Sequence, residues 1–259
     1  MSPSDLVLEA RAAGLSIFSV TDHDTTTGLA EAQTAATAAG LELVPGIEIS
    51  AVTDGRDVHV LGYFIDPEAP ALRSFLARQR AERLRRVQEM GERLAALGAP
   101  IDVEPILADA ASGRSVGRPQ IASALLARGH VATRDEAFDR FLEFGAPAFV
   151  ARRGTVPRDV VAIIHAAGGL ASLAHPGVTR RDELIPALAA GGLDALEVRH
   201  ADHDDAAESR YRAAARANRL LVTGGSDFHG SGGYRDGRLG RVVLPAEDFD
   251  ALKRAVRRT

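Results

Sequence analysis

Cysteine is absent from the 259 residues, so neither disulfides nor thiolate metal sites can form. Lysine occurs once, at Lys253, which leaves nearly all positive charge to arginine. With the heavy use of alanine this points to a GC-rich genome, so arginine richness says little about partners. Long apolar runs are lacking as well. None approaches the ~18 residues of a transmembrane helix, and no basic segment followed by an apolar one suggests a signal peptide. A cytoplasmic location is expected, with no membrane and no obligate protein partner. The net charge of −4 gives no bulk attraction to nucleic acid. There is no Gly-x-Ser-x-Gly elbow, which argues against a serine hydrolase.

What is present is a rhythm. The length is close to the ~250 residues of a single (β/α) barrel. Helices at Pro3–Ala13 and Gly28–Ala39 flank a strand at Ile17–Val20. Strands are expected at Leu41–Val44 and Ile47–Ser50, split by Pro45-Gly46, and at Asp57–Phe64. From Pro70 to Leu97 the spacing of Leu72, Leu76, Leu84, Val87, Leu94 and Leu97 predicts one long amphipathic helix. Shorter helices follow, with no strand alternation up to Pro147. After Pro157 helix and strand alternate again, with strands expected at Leu170–Leu173, Ala195–Val198, Leu220–Val222 and Gly240–Leu244. Strands alternating with helices imply a parallel sheet or barrel. The reading is therefore an α/β barrel in two parts, 1–66 and 156–259, with a helical insertion at 67–155. No internal repeat or low-complexity tract is visible.

Six of the eight histidines stand out by position. His23, His175, His200 and His229 each follow an apolar strand, and His203 lies three residues beyond His200. His59 sits inside a strand, pointing opposite to Val58 and Val60. Glu48 follows the Pro-Gly break, and Asp22, Asp24 and Asp227 neighbour the strand-end histidines. The C-terminal strand ends of a parallel barrel form one face, so residues scattered in sequence become neighbours there. Imidazole and carboxylate together suit zinc, manganese or iron, and a site without cysteine fits catalysis better than a closed structural zinc. The bland readings go to His130, a loop residue, and His165, a partly exposed helix residue. Arg73, Arg78, Arg80, Arg83, Arg85, Arg86 and Arg93 alternate with Glu82, Glu89 and Glu92, which reads as a solvated helix face. Gly224-Gly225 and Gly230–Gly233 match no phosphate-loop pattern and are expected to give flexible loops around Asp227 and His229.

The segments TDHD, GIEIS with a histidine eleven residues after its glutamate, SLAHPG, EVRHADH and GGSDFHG carry a resemblance. In their order and spacing the chain resembles the PHP (polymerase and histidinol phosphatase) superfamily. It is most similar to a bacterial branch of stand-alone phosphoesterases, which includes nucleoside 3′,5′-bisphosphate phosphatases and 5′→3′ exoribonucleases. The resemblance implies a distorted (β/α)7 barrel with up to three divalent ions (manganese, iron or zinc). It implies that His23 and His229 hold one ion, Glu48, His59 and His175 a second with Glu48 bridging, and Asp227 with Glu48 the third. Arg118, His200 and His203 correspond to substrate-facing, catalytic positions. Gln120 stands where the family more often has histidine. The family also opens with a strand carrying His-x-His followed by Asp. Here MSPSDLVLEA matches the helix after that motif, so the first strand and three ligands are expected to be missing. A start placed too late or a shortened chain accounts for this better than degeneracy, because the motifs downstream are intact.

The expected activity is metal-dependent hydrolysis of a phosphate ester, on a nucleotide or a short 5′-phosphorylated RNA. Two rivals stand beside it. Amide hydrolysis on a similar barrel commonly uses a carbamylated lysine, but Lys253 lies in the last helix. A catalytically degenerate domain would bind metal or nucleotide without turnover.

Overall fold

In this computed structural model, residues 1–111, 113–230 and 237–256 are described. Ser2 starts α1 (Pro3–Ala12) with a capping box: its hydroxyl accepts the Asp5 N–H while the Asp5 carboxylate accepts the Ser2 N–H. The chain then runs through β1 (Ile17–Val20), α2 (Leu29–Ala39), β2 (Glu42–Thr53) and β3 (Arg56–Tyr63). The long helix α3 (Pro70–Ala96) matches its apolar spacing, and α4 (Glu104–Ala111), α5 (Arg118–Ala127) and α6 (Arg134–Ala137) follow. After these come α7 (Pro157–Ala166), β4 (Leu170–Leu173), α8 (Pro176–Thr179), α9 (Leu184–Ala190) and β5 (Ala195–His200). The sequence closes with α10 (Asp205–Ala217), β6 (Leu221–Gly225) and α11 (Ala246–Val256). No described helix is long and apolar enough to cross a membrane.

The chain forms two compact units. One holds described residues within 1–51, 58–73 and 155–259, the other those within 52–57 and 74–154. Where boundaries near 67 and 155 are expected, the units divide at 73/74 and 154/155, and a second pair of divisions lies at the tip of the β2–β3 hairpin. The helical unit is built on Val87, Met90, Leu94, Ile121, Leu125 and Leu142, all buried.

The described strands form a six-stranded sheet in the order β1-β2-β3-β4-β5-β6. β1 is parallel to β2, β3 is antiparallel to β4, and β4, β5 and β6 are parallel. β2 and β3 are joined by Asp54-Gly55, both at positive φ as a two-residue hairpin requires. The fold is mixed α/β, and Ile47, Ile49, Val60, Ile164, Leu196 and Val198 fill the core of the sheet unit.

Two strand expectations are corrected. Pro45-Gly46 does not split a strand: β2 runs through it, with Pro45 opposite Val20 in the parallel ladder. Glycine is needed here because β1 passes close. A Cβ on Gly46 would lie 2.3 Å from Ser19 Oγ and 2.8 Å from Thr21 Cγ2. Gly46→Ala is therefore expected to destabilise the protein by about 1–3 kcal/mol through overpacking, read as a lower urea midpoint with unchanged slope. The second correction is at Gly240–Leu244, which forms a turn and an irregular segment rather than a strand. The Arg241 N–H closes back on the Arg238 carbonyl, and the Val243 carbonyl accepts from Arg199 Nη1 at 2.8 Å instead of from a neighbouring strand. Gly224-Gly225, expected as a loop, belongs to β6. Residues 231–233 of the second glycine tract lie outside the described residues.

The solvated-face reading of α3 holds only in part. Arg85 pairs with Glu82 and Glu89, and Arg93 with Glu89, at the surface. Arg86 is 5% exposed and donates from Nε to the Val150 carbonyl at 3.1 Å. Burial, with Arg152 nearby, pulls its guanidinium down to about 10.

Candidate metal centre

The six histidines singled out in the sequence stand in one row. Ring centroids are 6.0 Å apart for His229–His23, 5.0 Å for His23–His59 and 5.2 Å for His59–His175. The row continues at 5.6 Å to His200 and 5.2 Å to His203. The topology makes this possible. His23, His175, His200 and His229 lie at or just beyond the C-terminal ends of β1, β4, β5 and β6. His59 comes from β3, beside β4, where its carbonyl accepts the Ala174 N–H. The residues after β1 continue along β2: Glu48 N–H donates to the Asp22 carbonyl and Asp24 N–H to the Glu48 carbonyl.

Glu48 is the hub. It is 4% exposed, and its Oε1 lies 2.6 Å from His59 Nδ1 and 3.2 Å from His175 Nε2. His59 Nδ1 and His175 Nε2 are 3.3 Å apart, and Glu48 Oε2 is 3.7 Å from His23 Nδ1. Donor atoms of His23, Glu48 and His59 all lie within 4.8 Å of one another. Two ligands each about 2.1 Å from one tetrahedral ion stand about 3.4 Å apart, close to the 3.2 and 3.3 Å separations here, while the 2.6 Å Glu48–His59 contact is a hydrogen bond that would lengthen around an ion. Burial opposes the charge on Glu48, yet the His23 and His59 charges and the hydrogen bonds from His175 and His59 hold it well below the usual carboxylate range. Burial likewise opposes charge on His175, but Glu48 outweighs it and raises the imidazole.

A second group adjoins. His229 Nδ1–H donates to the Asp227 carbonyl at 2.8 Å, which leaves its Nε2 lone pair available. Asp227 Oδ2 lies 3.4 Å from His200 Nε2. Burial raises the Asp22 carboxyl, partly offset by His229. Beside the row of histidines, Asp24 at 53°, His175 at 27° and Asp227 at 48° hold positive φ. Left-handed backbone at non-glycine residues concentrates at functional sites.

The two histidines expected to face substrate, His200 and His203, are engaged within the protein. Asp202 N–H donates to His200 Nδ1 at 3.1 Å, so the His200 proton is assigned to Nε2, aimed at Asp227. His203 donates from Nδ1 to the Val198 carbonyl at 2.8 Å and accepts the Gly177 N–H on Nε2 at 3.1 Å. Burial, with the neighbouring His200, lowers His203. Arg118 opens α5 in the helical unit. There it pairs with Asp57 at 3.3 Å, and its guanidinium lies 5.7 Å from the Phe149 ring centroid. Gln120 accepts the Gly117 N–H at 2.8 Å, acting on the start of α5. Lys253 pairs with Glu42, at the start of β2, rather than with the hub, so it does not supply the lysine of the amide rival.

One residue escaped the sequence reading. Glu197, 4% exposed on β5, accepts the His175 N–H at 2.7 Å, and burial raises its carboxyl despite the nearby His200 and His175. Its signal was a single acid inside the apolar run Leu196-Glu197-Val198.

No family model matches the chain. It is 36% identical over 238 residues to a 5′-3′ exoribonuclease of Haemophilus influenzae, covering 88% of this chain and 85% of that protein. It is 32% identical over 263 residues to a 3′,5′-nucleoside bisphosphate phosphatase of Chromobacterium violaceum, covering 99% and 90%. A crystal structure from Bifidobacterium adolescentis, to which metal-dependent phosphoesterase activity is attributed, matches with a TM-score of 0.85 at 37% identity, covering 97% and 90%. Identity at this level over nearly the whole length, with the motif residues gathered around one buried glutamate, places the chain in the PHP-type phosphoesterase family of these exoribonucleases and bisphosphate phosphatases.

Proposed function

We propose that this protein is a divalent-metal-dependent phosphoesterase that hydrolyses nucleoside 3′,5′-bisphosphates or short 5′-phosphorylated RNA. The observation that carries the reading is the convergence of His23, His59 and His175 on buried Glu48, in a chain of this family. Glu48, His59 and His175 would hold one ion, with Glu48 bridging to further ions near His23, His229 and Asp227. A bound divalent ion supplies Lewis acidity and lowers the pKa of water enough for attack at neutral pH. Manganese, iron and zinc all suit the donors, and the seven-strand barrel and three-ion complement of the family belong to this proposal. So does a cytoplasmic location, where nucleotides and short RNA are at hand.

The protein's own groups divide the remaining work. His200, fixed by the Asp202 N–H, directs its Nε2 proton at Asp227 and so aims that carboxylate. Arg118 remains the substrate-phosphate residue of the reading. Exchanging Asp57 for a phosphate gives its planar fork a bidentate partner.

The test is phosphate or mononucleotide release from the two substrates, with manganese supplied and then removed by a chelator. Release that stops on chelation and returns with manganese is the expected result. Metal binding without turnover on either substrate would favour the degenerate domain instead, and hydrolysis of a cyclic amide alone would overturn the phosphoesterase reading.

A further inference from the structure

We infer that Glu197 and His203 are positioning residues which together hold the turn at His175, and thereby aim its imidazole at the metal centre. The inference rests on the metal-dependent reading above, and it assigns His203 a place behind the reaction rather than in it.

The turn needs holding. His175 has φ 27° and ψ 60°, a conformation that residues with a Cβ rarely adopt. Metal-ligating imidazoles are usually oriented by an acceptor on the second ring nitrogen. That device is weak here, because among the described residues His175 Nδ1 meets only the Thr179 hydroxyl, at 3.5 Å. The backbone is fixed instead. The Glu197 carboxylate accepts the His175 N–H at 2.7 Å, and His203 Nε2 accepts the Gly177 N–H at 3.1 Å. His203 is itself fastened, its Nδ1–H on the Val198 carbonyl at 2.8 Å. Both holding groups therefore come from β5 and the turn after it, one peptide on either side of Pro176.

The fit around His203 is tight. A Cβ on Gly177 would lie 2.7 Å from its Cδ2 and Nε2, so the glycine of the SLAHPG segment is what lets the ring approach the backbone. The chemistry of Glu197 also points this way. Burying a carboxyl on β5 is unfavourable unless hydrogen bonds offset it, and the His175 N–H supplies a short one. Neither residue offers that atom to the centre, so neither is a ligand by these contacts.

The experiment measures manganese affinity by calorimetry, and the visible spectrum of the cobalt-loaded protein, for wild type and five variants. Glu197→Ala and His203→Ala are each expected to weaken manganese binding about 10- to 100-fold and to alter the cobalt spectrum. Glu197→Gln keeps a carbonyl acceptor and should stay within about threefold of wild type. The deciding arm is epistasis. In a His175→Ala background, adding Glu197→Ala should cost no further affinity, because the imidazole it aims is gone. If His175→Ala weakens binding but Glu197→Ala does not, the positioning role is wrong while the metal reading stands. If Glu197→Ala and His175→Ala losses simply add, Glu197 acts elsewhere and the inference falls. If wild type binds no manganese, the metal reading fails first and takes the inference with it. Should Glu197→Ala not fold, Glu197→Asp replaces it: drawing the carboxylate back by one methylene must weaken binding where Gln does not.

Discussion

Replacing Glu48 with glutamine is expected to lower turnover by about a thousandfold or more and to reduce the metal content of the purified protein. The amide is a poor bridging ligand, and it removes the one charge on which His23, His59 and His175 converge. Elemental analysis beside phosphate-release kinetics checks it, and a fully loaded, active variant would show that the hub has been misassigned. The same substitution has a signature in the metal-free protein. Because the Glu48 carboxyl is held low in the fold, its stabilisation is present above the ordinary carboxylate pKa and is lost as pH falls through the folded value. The raised His175 contributes in the opposite sense, fully below the ordinary histidine pKa and lost as pH rises through its folded value. Chelator-treated wild type should therefore be most stable between those two ordinary values, and Glu48→Gln should flatten that maximum.

His175→Ala is expected to remove about one bound ion and most of the activity, because an open coordination position misplaces the bridging carboxylate. Its Nε2 stands 3.2 Å from Glu48 Oε1 and 3.3 Å from His59 Nδ1, so one substitution breaks two edges of the donor triangle. The melting temperature without metal should change less than the melting temperature with it, since a ligand that binds only the native state stabilises in proportion to its affinity. Unchanged metal content would count against this assignment.

The gathering of the strand-end histidines was legible because it depends on where the strands end. Ile17–Val20 and Leu170–Leu173 are short apolar runs, and the residues beyond them had to meet if the strands were parallel. What stayed hidden depends on partners that periodicity does not specify. Pro45-Gly46 carries the signal of a break, yet the close passage of Ser19 and Thr21 makes it the middle of a strand. Gly240–Leu244 carries the β-branched pair Val242-Val243 of a strand, but the Arg199 side chain satisfies a carbonyl that a ladder would have used. Histidine can be placed from sequence, but its tautomer cannot. The tasks of His200 and His203 are set by backbone groups of Asp202, Gly177 and Val198. Arg86 shows the same limit for charge, since its neighbours along α3 imply water and its burial implies none.

The division of the chain carries a consequence for its modularity. An insertion spliced into a barrel would be joined to its host at two points, and could be lifted out by cutting there. Here the backbone passes between the two units four times, at 51/52, 57/58, 73/74 and 154/155. The tip of the β2–β3 hairpin belongs to the helical body, where Val52 Cγ2 lies so close to Gly154 that a Cβ there would be 2.4 Å away. Removing 74–154 would leave that tip without its packing, and grafting 74–154 onto another host would arrive without Val52. The helical body and the hairpin that carries His59 are thus inherited together, so a change in one is constrained by the sequence of the other.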